Sequence, residues 1–218
     1  MIRLLIFDLD GTLVDTSQDI TNALNHALVP EGINPLTNEQ TRRLVGDGIT
    51  RLIEKIIGNE DLMLVKKIRE RFISFYEQHI ADYSKPYPGV IDTLRSLDGF
   101  KKAIVTNKLE ALSRKLLLEL KMLSFFDLIV GGDTTPEKKP SPLPVIRVLE
   151  ELGIKPEEAL LIGDGTTDIE AGKKAGLKTV AVGYGYRPKE LLQDADFFIE
   201  KDLSELIPVL ERLNSYSS

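Results

Sequence analysis

Asp8 and Asp10 stand two residues apart, after the apolar run Ile2 to Phe7 and before Gly11-Thr12. On an extended chain such residues project to the same side, so both carboxylates face one point while Gly11 lets the backbone turn away from it. An acidic pair there is costly to a core and useful to a cation; before a glycine it is equally a solvated turn. Further along, Thr106-Asn107 follow the apolar run Ala103 to Val105. Lys139 follows Lys138 and precedes Pro140-Ser141-Pro142, and Asp164 follows Leu161-Ile162-Gly163, with Asp168 four residues later. Singly, Thr106 reads as a cap, Asn107 as a turn, Lys139 as a solvated lysine and Asp168 as an anion favoured by a helix N-terminus. Jointly they place four carboxylates, a hydroxyl, an amide and a lysine on one rim. Asp8, Asp10 and Asp164 brought close together repel unless a cation lies among them. Hard oxygen donors without nitrogen or sulfur select Mg²⁺, which keeps several waters and is completed by a substrate phosphate. Thr106 then supplies a donor and Lys139 a positive charge for phosphoryl oxygens, as phosphoryl transfer requires.

The elements that must position these residues are legible as apolar runs. Ile2 to Phe7, Ala103 to Val105, Leu128 to Val130, Ala159 to Ile162, Thr179 to Val182 and Phe197 to Ile199 are contiguous rather than alternating, which predicts parallel strands covered on both faces. Helical patterns lie between them at Leu109 to Lys121, Leu143 to Leu152 and Asp168 to Ala175, and Gly153 and Gly176 follow the last two. The alternation predicts a doubly wound α/β fold, in which ligands bind at the carboxyl edge of the sheet. Asp15 to Tyr83 breaks it, with no strand pattern and a helical repeat at Leu62, Val65, Ile68, Phe72, Phe75 and His79. The expected organisation is therefore a catalytic core of residues 1–14 and 84–218 with a small helical domain, 15–83, inserted after the first strand. Ser84-Lys85-Pro86-Tyr87-Pro88-Gly89 closes the insertion, and Thr37 with Gln40 has the spacing of a capping box.

Composition narrows the function. With 34 acidic against 28 basic residues and no basic stretch, the chain is not read as a nucleic-acid binder. Cysteine is absent and the two histidines, His26 and His79, are isolated, which removes zinc and thiolate chemistry. The amino-terminal apolar run is broken by Asp8 and resembles neither a signal peptide nor a membrane span, so a cytoplasmic protein without a membrane partner is expected.

Asp8-x-Asp10-x-Thr12, Thr106-Asn107, Lys139-Pro140 and Gly163-Asp164-x-x-x-Asp168 resemble, in order and position, the four motifs of the haloacid dehalogenase-like superfamily. The resemblance spans nearly the whole chain, and the helical insertion is similar to the small cap of that superfamily's phosphatases. Gly46-Asp47-Gly48 with Leu52-Ile53, and Gly131-Gly132-Asp133 ahead of Lys138-Lys139-Pro140, look most like phosphoglycolate phosphatases. The resemblance implies that Asp8 is the nucleophile, forming an aspartyl-phosphate, and that Asp10 is the general acid and base. It implies a Mg²⁺ held by the Asp8 carboxylate, the Asp10 backbone carbonyl and Asp164, with Asp168 in the outer shell or orienting Lys139. Thr106, the backbone of Asn107 and Lys139 would bind the phosphoryl group, Lys139 being chosen over Lys138 on the Lys-Pro match. Gly165 stands where the family commonly has a small hydroxyl residue, a part that Thr166 or Thr167 would take over. In the cap, Gly46 to Gly48 would offer N–H groups to a small carboxylate, with Arg51 as charge partner. The expected activity is Mg²⁺-dependent hydrolysis of a small phosphorylated metabolite, 2-phosphoglycolate first, to glycolate and phosphate. The alternatives are a pyrophosphatase, a sugar-phosphate phosphatase or mutase of the same superfamily, and a non-enzymatic phospho-aspartate signalling module. Dinucleotide binding is excluded, because Gly163-Asp164-Gly165-Thr166-Thr167-Asp168 lacks the third glycine of the fingerprint.

Overall fold

Contiguous apolar runs bury well only if each face of the sheet has its own cover, and the computed structural model, which describes residues 1–215, provides both covers. The strands are β1 (Leu4–Phe7), β2 (Val14–Asp15), β3 (Lys85–Pro86), β4 (Lys101–Val105), β5 (Leu128–Val130), β6 (Ala159–Gly163), β7 (Lys178–Val182) and β8 (Phe197–Ile199). Six of them form one parallel sheet in the order β5-β4-β1-β6-β7-β8, and β2 pairs antiparallel with β3 alone. Successive residues of β1 divide between two apolar layers. Leu5 and Phe7 join Ile104, Leu160 and Ile162 on one face, while Leu4 and Ile6 join Ala103, Val105 and Leu161 on the other.

Between β2 and β3 the chain runs through α1 (Ser17–Leu28), α2 (Asn38–Leu44), α3 (Ile49–Ile57) and α4 (Leu62–Gln78). Ile20, Leu24 and Leu28 of α1 meet Val65, Ile68 and Phe72 of α4 in an apolar interior continuous with the Leu5–Phe7 face of the sheet. The repeat read for α4 holds at Val65, Ile68 and Phe72, and Tyr76 takes the next buried position. Leu62 is 70% exposed, and Phe75 stacks between His26 and His79 at 4.2 Å from each ring, so these three lie off the buried stripe. Past β3 follow α5 (Val90–Ser96), α6 (Glu110–Glu119), α7 (Leu143–Leu152), α8 (Thr166–Lys174) and α9 (Leu206–Ser215). Val145, Val148 and Leu149 of α7 and Ala171 of α8 cover the Leu4–Ile6 face, and α5, α6 and α9 cover the opposite one.

The stretch from Asp15 carries a strand that its residue pattern did not announce, because Asp15 pairs with Lys85 and Val14 with Pro86. The two chain crossings into and out of the helical insertion therefore run side by side. Asp19, in the first turn of α1, fastens the exit: its buried carboxylate accepts Ser84 N at 2.8 Å, Ser84 Oγ at 2.6 Å and Tyr83 N at 3.1 Å. α2 starts as read, with Thr37 Oγ1 accepting Gln40 N and Gln40 Oε1 accepting Thr37 N.

Candidate active site

Register brings the separated motifs together. Phe7 of β1 lies opposite Ile104 of β4 and Ile162 of β6, so the chain leaves the sheet at Asp8, Thr106 and Asp164 from three adjacent strands. Neighbouring strands lie about 4.8 Å apart, which places these side chains within reach of one ion or one phosphoryl group. Gly11 permits the approach: its φ is +89°, and a Cβ there would come within 2.4 Å of an Asp164 carboxylate oxygen.

Asp8, Asp164 and Asp168 each offer an oxygen within 4.8 Å of the others', and all three residues are buried. Lys139 enters from the loop after β5, 2% exposed. Its ammonium donates to Asp8 Oδ1 at 2.8 Å, to Val105 O at 2.6 Å and to Asp168 Oδ1. Asp168 Oδ2 accepts Gly165 N at 2.9 Å, which starts α8 two residues ahead of the expected Asp168. Asp8 and Asp168 thus share one buried lysine, with Asp164 within 4.8 Å of both. Burial, with Asp8 and Asp168 nearby, pushes Asp164 up to about 8. Burial, together with Asp168 and Asp10 and opposed by Lys139, pushes Asp8 up to about 6. Burial would lower Lys139, but Asp168 and Asp8 outweigh it and hold the ammonium above its ordinary value. The excess of anionic, hard oxygen donors fits a divalent cation, and Asp8 and Asp164 are the carboxylates not both committed to the lysine and the helix start. The expectation that Thr166 or Thr167 supports Asp164 is corrected: Thr12 Oγ1 donates to Asp164 Oδ1 at 3.3 Å and Tyr186 N to Oδ2 at 2.7 Å.

Thr106 Oγ1 accepts Lys108 N at 3.2 Å, which leaves its hydroxyl hydrogen for another acceptor. The Asn107 side chain donates to Gly46 O at 2.8 Å and Lys139 O at 3.0 Å. Its amide ties the cap loop to the lysine loop, so only the Asn107 backbone is left to face a phosphoryl group. The Asp10 carboxylate turns away from the acidic trio: Lys108 Nζ donates to both its oxygens, at 2.7 and 2.8 Å, and Thr16 Oγ1 to Oδ1 at 2.6 Å. Lys108 is a site residue that the sequence pattern does not announce. It follows Thr106-Asn107 directly, and a lysine beside two motif residues was the one signal available.

The cap loop closes over these groups. Gly48, with φ +77°, begins α3 so close to the core that a Cβ would come within 2.9 Å of Asn107 O, and Lys138 donates to Asp47 O. Lys138 is therefore spent on the cap, and Lys139 is the lysine at the carboxylates. Gly46 and Gly48 line a cavity of about 60 Å³ with Asp8, Asp10, Thr106 and Lys108. The loop turns the carbonyls of Gly46 and Asp47 to core side chains. Arg51 is not part of the site: α3 presents Ile49 and Leu52 to the cavity, while the Arg51 side chain is 61% exposed and pairs with Glu54 at 3.0 Å. The cations on the wider groove beside Asp8 and Asp164 are Arg42, Arg43, Lys55 and Arg187. Arg187 donates to Arg42 O at 2.9 Å and to Val45 O, bridging the β7–β8 segment to the cap.

A doubly wound core with an aspartate-rich carboxyl edge and a helical insertion defines the class, and the sequence match agrees. Residues 5–182 match the family model of the haloacid dehalogenase-like hydrolases, and the chain belongs to that family. The phosphoglycolate phosphatase of Aquifex aeolicus (strain VF5) is 42% identical over 215 residues, covering 96% of this chain and 97% of its own length. A crystal structure described as a predicted phosphoglycolate phosphatase from Haemophilus somnus 129PT superposes with a TM-score of 0.89 at 28% identity, covering 96% of this chain and 98% of that one. CbbY from Rhodobacter sphaeroides, in complex with xylulose-(1,5)bisphosphate, superposes with a TM-score of 0.78 at 25% identity, covering 91% and 94%.

Proposed function

We propose that this protein is a Mg²⁺-dependent phosphomonoesterase that hydrolyses 2-phosphoglycolate to glycolate and phosphate in the cytoplasm. The observation that carries the reading is the buried set of Asp8, Asp164 and Asp168, the first and last of them bound by Lys139, at the edge where three parallel strands end. Relatives named as phosphoglycolate phosphatases support the substrate, and the small cavity beside Asp8, about 60 Å³, suits a small leaving group. No helix among the described residues is long and apolar enough to cross a membrane.

In this reading Asp8 attacks phosphorus, the bond to the glycolate oxygen breaks, and an aspartyl-phosphate forms. Asp10, in its protonated form, delivers a proton to the departing alkoxide, then takes one from the water that attacks the phosphoenzyme, releasing phosphate and returning Asp8 to the carboxylate and Asp10 to the acid. Lys139 holds Asp8 in place and offsets its charge, and the Thr106 hydroxyl and Asn107 backbone bind phosphoryl oxygens. Asp8, Asp164 and the Asp10 carbonyl would hold Mg²⁺, which when bound neutralises charge developing on the phosphoryl group. Residues 15–83 act as a lid that excludes water from the first step.

The test is a panel of phosphorylated metabolites assayed with the purified protein in Mg²⁺ and in chelator. The highest kcat/KM is expected for 2-phosphoglycolate, with phosphate release lost in chelator and restored by Mg²⁺. Pyrophosphate or a sugar phosphate as the best substrate, or activity indifferent to chelator, would refute it.

A further inference from the structure

Lys108 is an ammonium enclosed between core and cap. Its side chain is 6% exposed, and its one anionic partner among the described residues is Asp10. Asp10 engages two of its three donors, which leaves one for another acceptor. Across the cavity the ring of Tyr76, from α4 of the cap, lies 4.8 Å from the Lys108 nitrogen. The Tyr76 hydroxyl is buried and makes no well-formed hydrogen bond, and Lys108, close enough to interact with it, is the charge that acts on it most strongly. A buried hydroxyl without a partner is costly unless a ligand completes it.

Both groups line the cavity of about 60 Å³ that opens on Asp8, Asp10, Thr106 and Asn107, and Ile49, Leu52 and Phe72 form its apolar wall. That volume holds a fragment of a few heavy atoms. We infer that Lys108 and Tyr76 bind the carboxylate of the leaving alcohol, the ammonium and the phenol donating to its oxygens, and so select phosphorylated small acids over neutral esters and sugar phosphates. The inference rests on the phosphatase reading, which sends the leaving group to the Asp10 side of Asp8. A single ammonium and a single hydroxyl match one carboxylate. A polyol would bury hydroxyls against Leu52 and Phe72 without partners, and a second phosphate would bring two charges to one lysine. Arg51, the arginine that the sequence offers for this task, faces solvent.

Steady-state constants for 2-phosphoglycolate and ethyl phosphate test it, in the wild type and in Tyr76→Phe, Lys108→Gln and Lys108→Arg, with circular dichroism to verify folding. Tyr76→Phe and Lys108→Gln are each expected to raise KM for 2-phosphoglycolate at least tenfold more than KM for ethyl phosphate. Lys108→Arg should recover part of that difference. If the wild type prefers 2-phosphoglycolate and the variants affect both substrates equally, the carboxylate site is wrong while the phosphatase reading stands. If the wild type hydrolyses phosphate esters without favouring 2-phosphoglycolate, the substrate reading falls and the carboxylate site falls with it.

Discussion

Lys139 carries more consequence than any other single side chain, because two buried carboxylates, Asp8 and Asp168, depend on it and it is itself out of water. Removing one partner from a buried ionic cluster leaves charge uncompensated, at a cost of about 3–5 kcal/mol. Lys139→Met should therefore lower the free energy of unfolding by that amount at neutral pH in chelator, measured by urea denaturation, besides removing activity; an unchanged value would show that the carboxylates do not need the lysine. Asp8→Asn acts in the opposite direction on stability, since it removes one of the crowded anions. Turnover should fall by at least about 10³-fold while the apo protein melts at the same temperature or higher, and substantial residual turnover would take the nucleophile's role from Asp8. Arg51→Ala should change KM for 2-phosphoglycolate less than twofold, because the guanidinium is exposed and a surface pair with Glu54 contributes little.

Elements show where local pattern suffices and where it does not. The contiguous runs announced both-face burial, and α2 begins at the capping box that Thr37 and Gln40 spell out. The β2–β3 pair escaped notice because two residues per strand, one of them Pro86, carry no periodicity at all. Its partner contact, Asp19 with the Ser84 and Tyr83 amides, spans more than sixty positions of chain, and no local rule reaches that far. Asp19→Ala strands two backbone donors and a hydroxyl, so it should destabilise the protein by about 2–3 kcal/mol, measurable by urea denaturation. Thr37→Ala, which removes only an exposed helix cap, should cost about 1 kcal/mol in the same measurement.

At the scale of the whole molecule, the charge gathered at the sheet edge ties stability to pH and metal. Asp8, raised to about 6, and Asp164, raised to about 8, bind protons more tightly folded than unfolded. Their contribution is thus complete below the ordinary carboxylate value of 3.8 and is lost as pH rises through 6 and 8. In chelator the melting temperature should fall between about pH 5 and about pH 8, and Mg²⁺ should restore it most at the alkaline end. A melting temperature that rises over that interval in chelator would contradict the crowded-anion arrangement. The chemical inventory was readable from the chain alone: Asp8, Asp10, Thr106, Lys139, Asp164 and Asp168 are marked by residue type and by standing just past an apolar run or before a helix. Strand periodicity and helix caps are local physics, so the parallel sheet and its flanking helices were legible too. What each polar group is bound to was decided only in three dimensions. Lys108 seizing Asp10, Thr12 and Tyr186 supporting Asp164, and Arg51 turning to solvent all depend on the register of strands and the seating of the cap. Those are set by packing between segments far apart in sequence; the place of Lys108 after Thr106-Asn107 is the one local hint of it, and nothing within a few residues of Arg51 records it.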